Sequence, residues 1–236
     1  MVFARNTAMS FNRYADRKID ALNNRTAQRE IPRGAISPRN ALFFCIANAC
    51  LFIVAAGFLN RLCLYLSPVA LLVIAGYSFT KRFTWACHLI LGLSLAIAPT
   101  AAYIAVCGAF ALPPMLISAI VIFWVSGFDV LYALPDEDFD KQEKLYSIPA
   151  RFGRVGALIF SAILHVFAAT LVVVTGFIVQ AGIFYIIGAT IFCGLLLYQH
   201  LIVKPNDLSR VNAAFATTNG FASVLFSLFV ILGMLL

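Results

Sequence analysis

Asn12, Asp16 and Asp20 stand at intervals of four residues, and so, much further along the chain, do Asp136 and Asp140. On a helix a step of four residues advances about 400°, so the first three side chains share a face about 80° wide and about 12 Å long. That face offers one amide oxygen and two carboxylates. Oxygen donors of this kind suit Mg²⁺, which keeps several waters and prefers to share its shell with substrate phosphates. The second group, Asp136-Glu-Asp-Phe-Asp140, again sets two carboxylates one turn apart, and Asp129 precedes it. Asp129 falls at the inner end of an apolar run, where an ionisable group is costly and usually functional. Two such clusters on one membrane face could hold two Mg²⁺ between them and clamp a diphosphate, neutralising its charge as it leaves. The plainer alternative is that these acids are solvated loop charges balancing nearby Lys and Arg. The recurrence of D-x-x-x-D in two separate loops weighs against that alternative.

The elements that must position these residues are membrane helices. Of 236 residues, 62% are hydrophobic and 11% charged, whereas a soluble domain carries about a quarter charged residues. Water is therefore not the main solvent of this chain. A helix needs about 20 apolar residues to cross a bilayer, and seven runs qualify: 41–59, 62–80, 84–107, 111–134, 155–178, 180–203 and 213–235. They are long and unbroken, which excludes the short alternating strands of a membrane β-barrel. Prolines mark the breaks. Pro38 precedes the first span, Pro113 and Pro114 open the fourth, where a missing N–H costs least, and Pro205 follows the sixth. Pro135, between span and second motif, is expected to break or restart the helix there.

Charge placement orders the loops. Eight of the ten acidic residues lie in 13–39 and 135–154, and fifteen of the seventeen Lys and Arg share one side; Arg61 alone occupies an opposite turn, and Arg5 precedes the first motif. The positive-inside rule puts the basic loops, and with them both acid motifs, in the cytoplasm. The net charge of +7 thus belongs to the inner face of a membrane protein. No aromatic-basic recognition motif accompanies it, so no nucleic-acid partner is expected. The six cysteines include no C-x-x-C pair and the three histidines share no ligand spacing; both sets are expected to pack within helices. Residues 1–12 lack a long apolar core, so no signal peptide is expected.

The run Asn12 to Ser37, N-R-Y-A-D-R-K-I-D-A-L-N-N-R-T-A-Q-R-E-I-P-R-G-A-I-S, resembles the first signature of the UbiA superfamily of intramembrane prenyltransferases. Asn12, Asp16 and Asp20 match its N-x-x-x-D-x-x-x-D. F-D-V-L-Y-A-L-P-D-E-D-F-D, from Phe128 to Asp140, resembles its second, with Asp136 and Asp140 as the pair, and Tyr77-Ser-Phe-Thr-Lys81-Arg82 resembles a third, basic segment between spans. The three stand in the family's order and the resemblance covers essentially the whole chain. The 4-hydroxybenzoate polyprenyltransferase-like enzymes of quinone biosynthesis are the nearest subgroup.

The resemblance implies an all-α, polytopic membrane bundle around a central cavity, one domain over residues 1–236. It implies seven full spans plus the end of an eighth, lacking the family's first helix and most of its second, since eleven residues precede Asn12. It implies a Mg²⁺-dependent transfer of a polyprenyl group from its diphosphate to an aromatic acid such as 4-hydroxybenzoate, at the cytoplasmic membrane. Asn12, Asp16, Asp20, Asp136 and Asp140 would hold the metal, Arg17, Lys81 and Arg82 would contact phosphates, and Asp129 or Tyr132 would position the acceptor or take its proton. Three alternatives stand beside this reading: naphthoate prenylation in menaquinone synthesis, an inactive short homologue, and a cation-binding transporter.

Overall fold

A computed structural model describes all 236 residues, and they form helices joined by short loops. In chain order these are α1 (Val2–Leu22), α2 (Pro38–Leu59), α3 (Arg61–Thr80), α4 (Cys87–Cys107), α5 (Leu112–Ala133), a 3₁₀ turn (Leu134–Asp136), α6 (Glu137–Gln142), α7 (Ile148–Ile178), α8 (Ile183–Ile202), a π turn (Ala213–Thr218) and α9 (Asn219–Leu235). Seven helices are long and apolar enough to cross a membrane, α5 being continuous with the segment that ends at Gln142. The protein is therefore an all-helical, multi-pass membrane protein. The seven apolar runs coincide with these helices.

Local chemistry sets the ends. Ser37 caps α2 by accepting from the Asn40 N–H at 3.2 Å, with Pro38 at the first helical position. Asn60 serves both sides of a tight turn. Its Oδ1 accepts from the Cys63 N–H at 2.8 Å to start α3, while its Nδ2 donates to the Ile104 carbonyl at 2.7 Å and so ties the turn to the end of α4. Gly108, at φ 68°, closes α4 in the left-handed region. Pro135 falls in the 3₁₀ turn, so the helix restarts as α6 there, as expected. Helix α7 begins at Ile148, earlier than the apolar run at 155. Gly153, at φ 70° and ψ 177°, breaks it, so the membrane-crossing part starts just after that glycine.

The helices pack in sequence order: α1 on α2 and α3, α4 along α5, α5 along α7, and α8 along α9. The α4–α5 seam is close because Gly92 lies against the Ser126 side chain and the Ile122 carbonyl, where a Cβ would stand 2.3 and 2.5 Å away. Small residues permit this approach in a bilayer, where packing and hydrogen bonds replace the hydrophobic drive between helices. Pro99 lies inside α4, and the hydroxyl of Thr100, the next residue, meets the Ser118 hydroxyl of α5 at 2.6 Å. The core centres on α5, whose Val125, Ser126, Val130 and Leu131 are all buried. The outer faces of the spans are apolar and exposed, as lipid-facing helices are.

Candidate active site

The buried residues of α1 are Thr7, Asp16 and Asp20, none of them apolar. A helix that turns its polar side inward is placed for chemistry, because burying charge without use is expensive. Asp16 is 2% exposed and Asp20 3%. Lys81 Nζ reaches Asp16 Oδ2 at 2.8 Å and Arg82 Nη2 reaches Asp16 Oδ1 at 3.4 Å. Asn12 Nδ2 donates to the same Asp16 Oδ2 at 3.2 Å, so the first two residues of the motif share one atom cluster. Arg29 Nη1 meets Asp20 Oδ1 at 2.8 Å, and the other oxygen of Asp20 is buried with no partner.

The second motif arrives at the same end of the bundle by two routes. Asn23, just past the end of α1, donates to Asp136 Oδ1 at 3.1 Å, and Arg25 forms a two-pronged ion pair with the Asp136 carboxylate. The turn between α3 and α4 provides the second link. Arg82 Nη2 donates to the Ala15 carbonyl of α1 at 2.7 Å, while the Lys81 carbonyl accepts from the Tyr146 N–H at 2.7 Å. Residues 81–82 are thus held between α1 and the loop that follows α6. Asp140, in α6 just before that loop, is partly buried. Glu137 is neutralised by Lys141 at 2.5 Å and Arg154 at 3.2 Å, which fastens α6 to the start of α7.

Asp129 is met by His88 Nδ1 at 2.7 Å. The Ile148 N–H donates to the other ring nitrogen at 3.3 Å. A nitrogen that accepts carries no proton, so the ring proton sits on Nδ1 and points at the Asp129 carboxylate. The Asp129 side chain is 21% exposed and so remains reachable. Tyr132 is enclosed on both faces: Phe215 stacks at 4.0 Å and the Arg25 guanidinium lies 4.6 Å from the ring centre. Arg17 folds onto Tyr14, with Nη1 on the Tyr14 carbonyl at 2.6 Å and its guanidinium 4.4 Å from that ring.

A cavity of about 700 Å³ opens beside these charges. Asn12, Arg13 and Tyr77 line it, as do Leu91, Trp124 and Phe128, and most of its wall is apolar. Its lining, mostly apolar with a few placed polar groups, suits a ligand with a polar head and a hydrocarbon tail. The donor chemistry suits Mg²⁺: all five candidate ligands offer oxygen, and one buried oxygen of Asp20 has no partner, although no three of the acids are gathered into one metal-holding group in this structure.

Four cations (Lys81, Arg82, Arg29 and Arg25) now hold three of the carboxylates. Those same groups suit phosphate oxygens. Asn23, Arg25, Arg29 and His88 were not singled out by the sequence. Asn23 follows Asp20 by three residues, close to one helical turn, and that was its only signal. The other three look like ordinary inside-positive or interior polar residues.

A family model described as "UbiA prenyltransferase family" matches residues 1–232. A 4-hydroxybenzoate octaprenyltransferase from Tolumonas auensis is 30% identical over 223 residues, which span 94% of this chain and 78% of that protein. One from Aliivibrio fischeri strain MJ11 is 30% identical over 227 residues, 96% and 78% of the two chains. Among solved structures, the apo form of a UbiA homologue from Aeropyrum pernix K1 superposes with a TM-score of 0.91 at 31% identity, covering 99% of this chain and 86% of that one. A homologue from Archaeoglobus fulgidus, solved bound to DMAPP and Mg²⁺, shares the fold, with a TM-score of 0.71 at 21% identity over 95% and 84% of the two chains.

Proposed function

The chain belongs to the UbiA prenyltransferase family, and from that premise we propose that it transfers a polyprenyl group from its diphosphate to an aromatic acid of the 4-hydroxybenzoate type, with Mg²⁺, the whole chain acting as one catalytic unit. Membership in an enzyme family sets aside the cation-transporter alternative. One observation carries the reading: Asn23, Arg25 and the turn at 81–82 draw the two acid motifs together beside an apolar cavity that begins at Asn12. The relatives' names supply the acceptor class, and the Archaeoglobus homologue's ligands supply the donor class and the metal.

In this reading Asn12, Asp16, Asp20, Asp136 and Asp140 would hold Mg²⁺, whose charge would neutralise the diphosphate as it leaves. The carboxylates then give up their present partners, and Lys81, Arg82 and Arg25 turn to phosphate oxygens. Arg17 joins them only by unfolding from Tyr14. Two divalent ions nearly cancel a diphosphate, so the exchange leaves the buried charge balanced, which is what a low-dielectric site requires.

The C–O bond to the diphosphate breaks and leaves an allylic cation. The Tyr77 and Phe128 rings, which line the cavity nearest Asn12, stabilise such a cation by about 2 kcal/mol each when desolvated. A C–C bond forms at the ring carbon beside the phenol oxygen. Asp129, fixed by the His88 N–H, takes the displaced ring proton. The apolar walls keep water from the cation. The positive-inside rule, applied to the basic loops, supports a site on the cytoplasmic side of the membrane.

The test offers radiolabelled prenyl diphosphate to the purified protein with a panel of 4-hydroxybenzoate, dihydroxynaphthoate and a non-aromatic alcohol, with and without EDTA. Labelled 4-hydroxybenzoate that disappears on chelation is the expected product. Label on the naphthoate or the alcohol alone, or none on any acceptor, would overturn the assignment.

A further inference from the structure

Trp124 stands on α5 one helical turn from Phe128, on the side away from the acid motifs, and both rings line the 700 Å³ cavity. Their centres are 5.7 Å apart in an edge-to-face arrangement. The indole is fixed in place. Its Nε1 donates to Asn219 Oδ1 at 3.0 Å, and the same oxygen accepts from Gln199 Nε2 at 2.7 Å. Asn219 Nδ2 in turn donates to the Ala214 and Phe215 carbonyls at 3.2 and 3.0 Å, within the π turn that precedes α9.

Only one placement of the amide atoms satisfies this cluster. An indole N–H can only donate, so it must meet the Asn219 oxygen, and Gln199 must then present its nitrogen. Gln199 Oε1 is consequently left buried without a partner, on a residue that is 0% exposed. Three helices (α5, α8 and α9) thus carry polar groups into the bundle interior, where such groups are expensive. They converge on one atom, Asn219 Oδ1, which accepts from the nitrogen of a ring that walls the cavity. Asn219 and Gln199 do not line the cavity themselves.

Building on the prenyl-transfer reading, we infer that Trp124, held in place by Asn219, gauges the length of the isoprenoid donor. The helical rise places Trp124 about 6 Å beyond Phe128, away from Asn12 and the diphosphate site. A donor of one isoprenoid unit ends short of the indole. Donors of two or more units must lie along its face, and contacts with this remote part of the substrate raise the rate of its transfer. Asn219 is a positioning residue here: it acts only through the orientation of Trp124.

The experiment measures kcat/KM for dimethylallyl, geranyl and longer polyprenyl diphosphates with one acceptor, in purified protein reconstituted in bilayers. Trp124→Ala should lower kcat/KM for donors of two or more units about tenfold, the size of discrimination that a small change in an apolar pocket produces, and leave the one-unit donor within about twofold. Asn219→Leu should shift the donor ratio in the same direction. Trp124→Phe removes the N–H and keeps a ring, so adding Asn219→Leu to it should not move the ratio further. Because Trp124→Phe is a mild change, it reports on the link even where Trp124→Ala fails to fold. A fall that is equal for all donors, or an Asn219→Leu effect on the ratio that persists in the Trp124→Phe background, overturns the inference. Failure of the wild-type protein to transfer from any donor overturns the prenyl-transfer reading and this inference with it, whereas wild-type transfer with an unmoved donor ratio in the variants overturns the inference alone.

Discussion

Asp16→Asn is expected to lower prenyl transfer by at least about a hundredfold, the scale seen when one electrostatic element of a preorganised site is removed, while the protein still inserts and purifies as a helical monodisperse species. Asp16 is the most connected acid of the site, meeting Asn12, Lys81 and Arg82. The isosteric amide keeps the shape and one of the two acceptor oxygens, but it removes the negative charge that a divalent ion needs. It also leaves Lys81 and Arg82 without a counter-ion. Loss of the paired charge costs stability as well, because an uncompensated buried charge is worth about 3–5 kcal/mol. Both cations are, however, partly exposed, with side-chain accessibilities of 31% and 39%, so solvent screens much of that cost. Measured as initial rates at saturating Mg²⁺, with circular dichroism as the folding control, the variant should separate catalysis from folding. A variant that retains more than about a tenth of the wild-type rate would remove Asp16 from the chemistry.

The second large effect belongs to Asp129. As the group that takes the ring proton it should contribute on the scale of general-base catalysis, about 10²–10⁴-fold. Asp129→Asn should therefore lower kcat and leave the KM for the prenyl diphosphate within about twofold, since Asp129 is not proposed to touch the metal or the phosphates. His88 holds this carboxylate at 2.7 Å. His88→Leu should lower kcat by about tenfold through misorientation, a modest displacement being enough for such losses. His88→Gln, which still offers an N–H, should recover most of it. A rise in KM for the donor with unchanged kcat in Asp129→Asn would place this residue in donor binding instead. Equal losses in His88→Leu and His88→Gln would show that the imidazole does more than orient its neighbour.

The parts of the molecule legible in the sequence are those encoded locally. Each apolar run had to become a membrane helix, because no other structure satisfies its backbone in lipid, and the runs and helices agree closely. The D-x-x-x-D and N-x-x-x-D spacings put Asn12, Asp16 and Asp20 on one helix, and that helix forms from Val2 to Leu22. The break at Gly153 was invisible as a start because Ile148 to Arg154 mixes polar and apolar residues, and only the positive φ shows where the spanning part begins. The ion-pair partners were illegible for another reason. Arg25 and Arg29 look like members of a basic inner loop, and which carboxylate each one meets depends on how residues 23–37 fold back across the bundle end. The Trp124–Asn219 bond joins residues from two distant helices, so spacing carries no trace of it. His88 reads as one more polar residue in an apolar run until Asp129, a span away, is set beside it.

The arrangement at the bundle end makes one physical demand: Asp16 and Asp136, carried by different helices, must serve the same metal–diphosphate unit. Its most direct test is retention of a non-ionising prenyl thiolodiphosphate by the purified protein at fixed Mg²⁺, for the wild type, Asp16→Asn, Asp136→Asn and the double variant. Shared duty predicts that either single substitution removes most of the Mg²⁺-dependent binding and that the second adds little, a strongly non-additive cycle. Additive losses, or Mg²⁺-dependent binding that survives in both single variants, would mean that the two motifs act separately and would contradict the site described above.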